Sequence, residues 1–489
     1  MTEDRAGSTV RGQQGVLYNL SILSVGQVIS QLTNLAALIF LGDFLGAHWF
    51  GVVQVGVAFM SYALIIAEWG MMSLGIREVS RFDEPRQVFD YARQHTGLLA
   101  LQAVVVLGAG LVILPHLPFY QHAPVVFLLY LATVLPQIYT QNWVAMGIER
   151  MVCVGTSRIV RSLTYALLVL VVLRPAVGFA GQPAHHWVPI FFLVAMAVSN
   201  LVVNIPLARW FGRFIHPRWP QRTEAVRRWR ETGTVGSNVI VLRVLFNIDI
   251  LLLGSLAAPA VAGSYAAAAR IIFLLVVAVE VLWAALLPRL SRLAKSSRVD
   301  FLRSFNLYLG LVLVALLPMA VGGFLVGVDF IDFVYRGKFP SAGPVFQVLA
   351  CSYSMLAVAM FLGNTLLSED RQKMYFLPLA AGSLTAVVGV SLLAPRYLEQ
   401  GASWAMAVAH GLLLVILLII NRHKFKAELG RFLLWLVPAL AALVVVVELL
   451  SSHHVLLRVA AAGLAYVLLA MRPVRRYQAR MRPTAADHS

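Results

Sequence analysis

The sequence has few charged residues and almost no cysteine. Only 12% of its 489 residues are Asp, Glu, Lys or Arg, whereas 60% are hydrophobic. A soluble chain of this length could not cover so much apolar side chain, because its surface would need many more polar residues. The two isolated cysteines, Cys153 and Cys351, support neither a disulfide framework nor a metal site. The composition therefore predicts a membrane protein.

Long apolar runs make up most of the chain. Runs of about 20 residues, enough to cross a hydrocarbon core of roughly 30 Å, recur from Val16 to Met471. We predict an all-α polytopic protein with fourteen transmembrane helices. The predicted spans are 16–41, 49–74, 95–115, 123–146, 156–174, 188–208, 233–256, 262–287, 305–327, 344–367, 375–395, 402–421, 431–450 and 453–471.

Acidic residues are also scarce: the chain has 22 Asp and Glu but 39 Lys and Arg, which gives a net charge of +17. In a soluble chain this excess would suggest nucleic acid, but in a membrane protein basic residues collect in cytoplasmic segments. With a cytoplasmic N-terminus, 32 of the 39 lie on the cytoplasmic side, including Arg158, Arg161 and Arg431 at the cytoplasmic ends of their spans. Four lie outside, while Arg243, Arg270 and Arg458 lie deeper within spans. The charge thus predicts two cytoplasmic termini and no nucleic-acid partner.

The densest basic stretch runs from Arg209 to Glu231, with seven Arg and with Trp219 and Trp229 between them. Two interpretations are open. The stretch could lie on the inner leaflet and hold anionic lipid headgroups, at roughly 1 kcal/mol per basic residue. Alternatively, it is a cytoplasmic linker that follows the positive-inside rule, and we favour this interpretation.

An internal repeat relates the two halves of the chain. A shift of 212 residues carries Leu41-Gly42, Gly51, Glu68 and Arg77 onto a second set with identical spacing: Leu253-Gly254, Gly263, Glu280 and Arg289. Each unit has about six helices. Because six is an even number, both copies enter the membrane from the same side, as parallel repeats do. We predict two facing six-helix lobes and two extra helices. The predicted parts are an N-lobe at 1–208, a basic cytoplasmic linker at 209–232, a C-lobe at 233–421, extra helices at 422–471 and a basic cytoplasmic tail at 472–489.

Several short runs resemble one known family. These runs are LGDFLG at 41–46, GIRE at 75–78, NWVAMGIERM at 142–151, LPRLS at 287–291, and APRY at 394–397 followed by GASWA at 401–405. They are similar to polysaccharide or O-antigen flippases of the multidrug/oligosaccharidyl-lipid/polysaccharide exporter superfamily. Gly389 stands where relatives often carry Asn.

This resemblance implies a protein of the bacterial cytoplasmic (inner) membrane. Such a protein flips undecaprenyl-pyrophosphate-linked oligosaccharide from the inner to the outer face by alternating access, for polysaccharide or O-antigen (exopolysaccharide) biosynthesis. A polysaccharide polymerase or chain-length protein would be a partner.

Charged residues at bilayer depth should face a cleft or a partner, because each costs about 2.5 to 3.5 kcal/mol to insert. Arg243 lies near mid-membrane with no acidic residue at its level, which suits a pyrophosphate; bonding to Asn247 is the structural alternative. Asp249 and Arg270 lie at one level on neighbouring helices and are expected to form a structural or gating ion pair.

Other polar residues are candidates for the same cleft. Gln27, Gln31 and Asn34 share one helical face and could bind either sugar hydroxyls or neighbouring helices. Glu68 and Glu280 are repeat equivalents that could couple transport to protons or sodium, or pair with the Arg that ends each helix.

Other functions fit the sequence less well. It contains no GxxxxGK[ST] phosphate loop and no HExxH motif, so no ATP site and no zinc hydrolase of that kind is expected. The longest outer loops, near 175–187 and 328–343, are too short for the catalytic region of a glycosyltransferase, ligase or polymerase. We expect a transporter without a cofactor and not an enzyme. A cation-coupled multidrug exporter is disfavoured by Arg243, whereas a lipid II flippase of the same superfamily stays open.

Overall fold

The structure is a computed structural model that describes residues 3–369, 371 and 373–481. Within helices it describes the backbone alone for residues 3–25, 179, 180, 234, 235, 238, 275, 278, 280, 281, 284, 285 and 288. The described chain is almost entirely helical and contains no strand, so the predicted all-α polytopic fold is confirmed. The α-helices are α1 Glu3–Glu68, α2 Met71–Val79, α3 Pro85–Ile113, α4 Pro124–Ala132, α5 Val134–Gln137, α6 Asn142–Gly147, α7 Met151–Leu167, α8 Leu173–Ala180, α9 Ala184–Phe211, α10 Arg222–Leu256, α11 Pro259–Ser296, α12 Arg298–Tyr335, α13 Ala342–Ser368, α14 Lys373–Asn421, α15 Ala427–Leu449 and α16 Val455–Met481.

Eleven helices of the described chain are long and apolar enough to cross a membrane. Two of them are interrupted by a non-helical residue, Gly46 in α1 and Leu398 in α14, and each corresponds to two predicted spans. The eighth predicted span falls in α11, where Pro259–Leu274 is a shorter apolar helix. The number of fourteen spans stays a prediction.

The interruption in α1 has a physical reason. The apolar part of α1 covers 43 residues, which would extend about 65 Å as one straight helix, roughly twice the hydrocarbon core. Gly46 has φ +69° and nothing within 4 Å of where a Cβ would stand. Because glycine adopts this conformation without a steric penalty, it is the residue at which one apolar helix can end and the next begin.

The chain forms two compact units, residues 1–243 and 244–489. The division falls within α10, where unit 2 begins eleven residues after the predicted start of the C-lobe at 233. The first half of α10 belongs to unit 1 because it packs there. Trp229 stacks on Trp69 at 5.5 Å between ring centroids, and Gly236 lies against Trp69.

The segment between α9 and α10 is fixed to unit 1. The backbone N–H of Arg218 donates to the carbonyl oxygen of Arg93 on α3, at 2.9 Å. A Cβ on Gly97 would stand 1.9 Å from the carbonyl oxygen of Arg218, so only glycine permits this approach. The predicted linker is therefore partly ordered by contacts with α3.

In unit 2, α13 contacts α11, α12 and α14 and is largely buried. The last two helices, α15 and α16, pack on each other and on α12. Arg458, which the sequence places inside a span, pairs with Asp329 of α12, and the Tyr466 hydroxyl donates to the Val314 carbonyl at 2.8 Å. These contacts give the buried cation of α16 a partner and hold the last helix against α12.

Candidate functional site

In unit 1, the predicted amide row of α1 lies beside α7. The two helices approach closely, since a Cβ on Gly26 would stand 3.3 Å from the carbonyl oxygen of Gly155. Small residues permit such contacts between membrane helices. Ser162 donates to Ser30 across this interface at 3.2 Å. The backbone contact thus brings the polar side chains of the two helices together.

The amide row itself is divided in its contacts. Gln27 accepts a hydrogen bond from Nη1 of Arg158 at 3.4 Å and is partly buried. Gln31 is also partly buried, whereas Asn34 is exposed. Since the three residues share one helical face, that face carries one amide bonded to an arginine, one partly buried amide and one exposed amide.

The sequence does not single out Arg158 and Arg161 as site residues, because both stand near the start of a predicted span and count with the cytoplasmic loop. In the structure they lie on the second and third turns of α7, partly buried and exposed respectively, and their like charges interact. Among the described side chains, neither has a carboxylate within ion-pair distance. Their spacing of three residues on one apolar helix is the signal that could have identified them.

Arg243 lies at the end of unit 1 and interacts electrostatically with Glu68. The expectation that no acidic residue lies at the level of Arg243 is therefore wrong, because it considers only α10 and α11, whereas Glu68 stands on α1. The Tyr62 hydroxyl donates to the Arg243 carbonyl oxygen at 3.3 Å, which holds α10 against α1. Arg77, the alternative partner of Glu68, instead pairs with Glu78 at 3.1 Å. The side chain of Glu280 lies outside the described residues.

In unit 2, Asp249 and Arg270 interact electrostatically, but each has a different hydrogen-bond partner. Asp249 is fully buried and accepts from the Tyr265 hydroxyl at 2.6 Å and from the Ile250 N–H at 2.8 Å. Nη1 of Arg270 donates to the Asn247 side-chain oxygen at 3.1 Å. Asn247 therefore serves Arg270, whereas the sequence argument offered it to Arg243.

The Asp249 arrangement suits a structural or gating role. A buried carboxylate is costly unless hydrogen bonds and opposite charge compensate it, and here Tyr265, a backbone amide and Arg270 do so. Tyr265 follows Gly263 in the repeat motif, yet nothing in its position along the sequence shows that its hydroxyl reaches Asp249. The predicted role of each site residue stays a prediction.

The fold is similar to that of solved membrane transporters. A lipid II flippase, MurJ, in an inward closed conformation has a TM-score of 0.75 at 12% identity, and the match covers 94% of this chain and 99% of that one. An inward-facing multidrug resistance transporter of the MATE family, in the MOP superfamily, has a TM-score of 0.63 at 13% identity, covering 82% and 98%. A MOP superfamily transporter from Pyrococcus furiosus has a TM-score of 0.51 at 13% identity, covering 83% and 95%. At such low identities, these TM-scores show a shared fold alone.

A comparison with curated proteins gives no significant match. The family model described as polysaccharide biosynthesis protein matches residues 16–294. The matched region includes the whole of α7 with Arg158 and Arg161, and both members of the Asp249–Tyr265 hydrogen bond. It covers more than half of the chain, and the chain therefore belongs to the polysaccharide biosynthesis protein family.

Proposed function

We propose that this protein flips undecaprenyl-pyrophosphate-linked oligosaccharide repeat units across the bacterial cytoplasmic membrane for polysaccharide biosynthesis. The observation that carries the proposal is the pair of arginines on α7, Arg158 and Arg161, with no described carboxylate at ion-pair distance, beside the amides of α1. Membership in the polysaccharide biosynthesis protein family supports the substrate class.

The chemistry of this face fits an anionic headgroup with sugars. A guanidinium presents a planar fork of donors that matches phosphate oxygens, and two adjacent guanidiniums repel each other until an anion lies between them. Asn34 and Gln31 offer donors and acceptors for sugar hydroxyls on the same side of α1. Arg243, Arg270 and Asn247 are further proposed contacts for the substrate. The prenyl tail would stay in lipid.

A cationic drug is a poor substrate for the same face. Two fixed positive charges repel a cation, and the membrane interior screens that repulsion weakly. The fold similarity to the MurJ lipid II flippase favours a second candidate, lipid II, which also carries a pyrophosphate and sugars. We also propose that Glu68, Glu280 or Asp249 couples transport to a proton or sodium gradient. The protein would work alongside a polysaccharide polymerase.

The test is export of surface polysaccharide in a bacterial strain that lacks the gene. An Arg158→Gln/Arg161→Gln double variant should lower export at least about tenfold, because hydrogen bonds to charged groups contribute roughly 1.5–3 kcal/mol each. Lys at both positions should restore part of it. Arg396→Gln, the same change at an exposed position on α14, is the control and should export normally.

Full export by a normally expressed double variant would remove the two arginines from the substrate site. A second arm separates the two substrates. In this arm the protein is expressed in cells depleted of their lipid II flippase. If it restores their growth but does not restore polysaccharide export in the other strain, its substrate is lipid II and not the proposed oligosaccharide carrier.

A further inference from the structure

A basic cavity lies in unit 1, and no residue of α1 or α7 lines it. It has a volume of about 310 Å³ and is lined by side chains from α2, α3 and α10 and from the turn after α2. Its charged lining residues are Arg77, Arg81, Arg227, Arg228, Glu78 and Glu231. We name it the Arg228 cavity. None of its residues belongs to the candidate substrate site.

Arg228 is built into the wall of this cavity. The residue is only 6% exposed, and its guanidinium lies over the Tyr91 ring at 4.6 Å from the ring centroid. Nη2 donates to Glu224 at 2.5 Å and to Gln94 at 3.3 Å. Nη1 is buried without a hydrogen-bond partner in the described part of the chain. A buried unsatisfied donor is costly, and an absent ligand is one recognised reason for such a group.

Three more arginines reach the cavity from its exposed rim. Arg77, Arg81 and Arg227 have side chains 59%, 63% and 69% exposed. The carboxylates do not cancel them. Glu78 accepts from both Arg77 and Arg81, and Glu231 lies 3.7 Å from Arg227. Glu224, outside the lining, pairs with Arg228, so three carboxylates face four guanidiniums. The cavity with this partner therefore keeps a formal charge of +1, which suits an anion.

The surroundings of the cavity indicate which anion. Val226 and Trp229 follow each other by one helical turn on α10 and are 43% and 53% exposed, and Trp219, just before the helix, is 69% exposed. Exposed tryptophans beside arginines are typical of the membrane–water interface. On α10, Val226 and Trp229 lie on the side away from Arg227 and Glu231. With Trp219 they indicate that the start of α10 lies at the interface, where phosphate is carried by lipid headgroups.

We propose that the Arg228 cavity binds the phosphate of an anionic phospholipid headgroup from the leaflet it faces. The lipid phosphate would meet Nη1 of Arg228 and the rim arginines. The bound lipid holds α2, α3 and the start of α10 together. This site is independent of the proposed substrate and would persist in a transporter with another cargo.

The test is thermal unfolding of the purified full-length protein in detergent, titrated with dioleoylphosphatidylglycerol. A ligand that binds the folded state raises the melting temperature, so the half-maximal lipid concentration reports affinity. An Arg81→Gln/Arg227→Gln variant should raise that concentration on the order of 30-fold, since each basic residue at a lipid surface contributes on the order of a few-fold in affinity. Both residues are exposed, so folding should be kept.

The matched control is Arg222→Gln/Arg230→Gln, which removes the same charge from exposed positions on α10 outside the cavity lining. It should bind the lipid as the parent protein does. If both double variants lose affinity for the lipid equally, the effect comes from the general charge of the protein, and the site is overturned. The site is also overturned if dioleoylphosphatidylcholine raises the melting temperature as much as dioleoylphosphatidylglycerol does. A shift that depends on Arg81 and Arg227 and is produced by sodium phosphate but not by the lipid would overturn the lipid and leave a soluble phosphate as the ligand.

Discussion

A residue type alone rarely fixes the role of a charged side chain in a membrane protein, because the same guanidinium can bind a ligand or a carboxylate. Arg243 looks free along the sequence, yet Glu68 lies within electrostatic range of it. Arg158 looks like an orientation signal and lies beside an amide and another arginine. These assignments depend on which helices are neighbours, and apolar periodicity does not reveal that.

The buried carboxylate of Glu369 gives a prediction for acid stability. Burial would raise its pKa, but hydrogen bonds from Lys424 and from Arg298, the latter at 2.6 Å, hold the pKa below its ordinary value. A carboxyl whose pKa is lowered on folding stabilises the protein above its unfolded pKa, and this contribution is lost as pH falls through the folded pKa. Unfolding temperature should therefore fall as pH drops below the ordinary value of 4.5.

A Glu369→Gln variant separates this cluster from other carboxylates. At neutral pH the substitution leaves the fully buried Lys424 without its carboxylate, so the free energy of unfolding should fall by about 3–5 kcal/mol. The difference from the parent protein should shrink as the medium is acidified below the ordinary carboxyl pKa. Glu84→Gln, at an exposed position, should change little. A gap between parent and Glu369→Gln that stays constant with pH would contradict this account.

At the scale of elements, two of the longest helices depend on one residue each. Gly46 divides α1 at a backbone conformation natural to glycine, whereas α14 is divided at Leu398, with φ +52° and ψ −134°. For a residue with a Cβ this conformation is strained by roughly 1–3 kcal/mol. The Leu398 side chain is 46% exposed, so it loses little packing if it is removed.

A Leu398→Gly substitution should therefore stabilise the protein, by about 1 kcal/mol after the greater flexibility of glycine in the unfolded chain is counted. Leu392→Gly is the matched control on the same helix, because it is 67% exposed and regular in backbone. Glycine inside a regular helix costs roughly 1 kcal/mol. The two variants should shift the melting temperature in opposite directions, and a lower melting temperature in both would refute the strain at Leu398.

At the scale of the whole molecule, composition and apolar runs predict the fold well. The predicted tenth span, 344–367, differs by no more than two residues at either end from α13, Ala342–Ser368. The predicted ninth span, 305–327, is much shorter than α12, Arg298–Tyr335. The reason is that the helix continues beyond its apolar region, whereas hydropathy detects the apolar region alone. The Tyr265 to Asp249 hydrogen bond could not be predicted, since it depends on how two helices turn toward each other.

The basic residues predict an orientation that labelling can check. In a variant whose Cys153 and Cys351 are replaced by Ala, one new cysteine is placed either at Ser452 or at Gln221, both exposed. The positive-inside rule puts Ser452 outside and Gln221 in the cytoplasm. A membrane-impermeant maleimide should label Ser452→Cys in intact cells and Gln221→Cys only after lysis. Labelling in the reverse order would invert the topology.

The contact between Gly97 and Arg218 sets a tether length. Arg218 is fixed to α3 through Arg93, and α10 begins at Arg222, only four residues later. A fully extended chain covers at most about 3.6 Å per residue, so the start of α10 is confined to within about 14 Å of that anchor. While the anchor holds, α10 can tilt or turn at its first residue, but that residue cannot move more than about 14 Å from the anchor on α3.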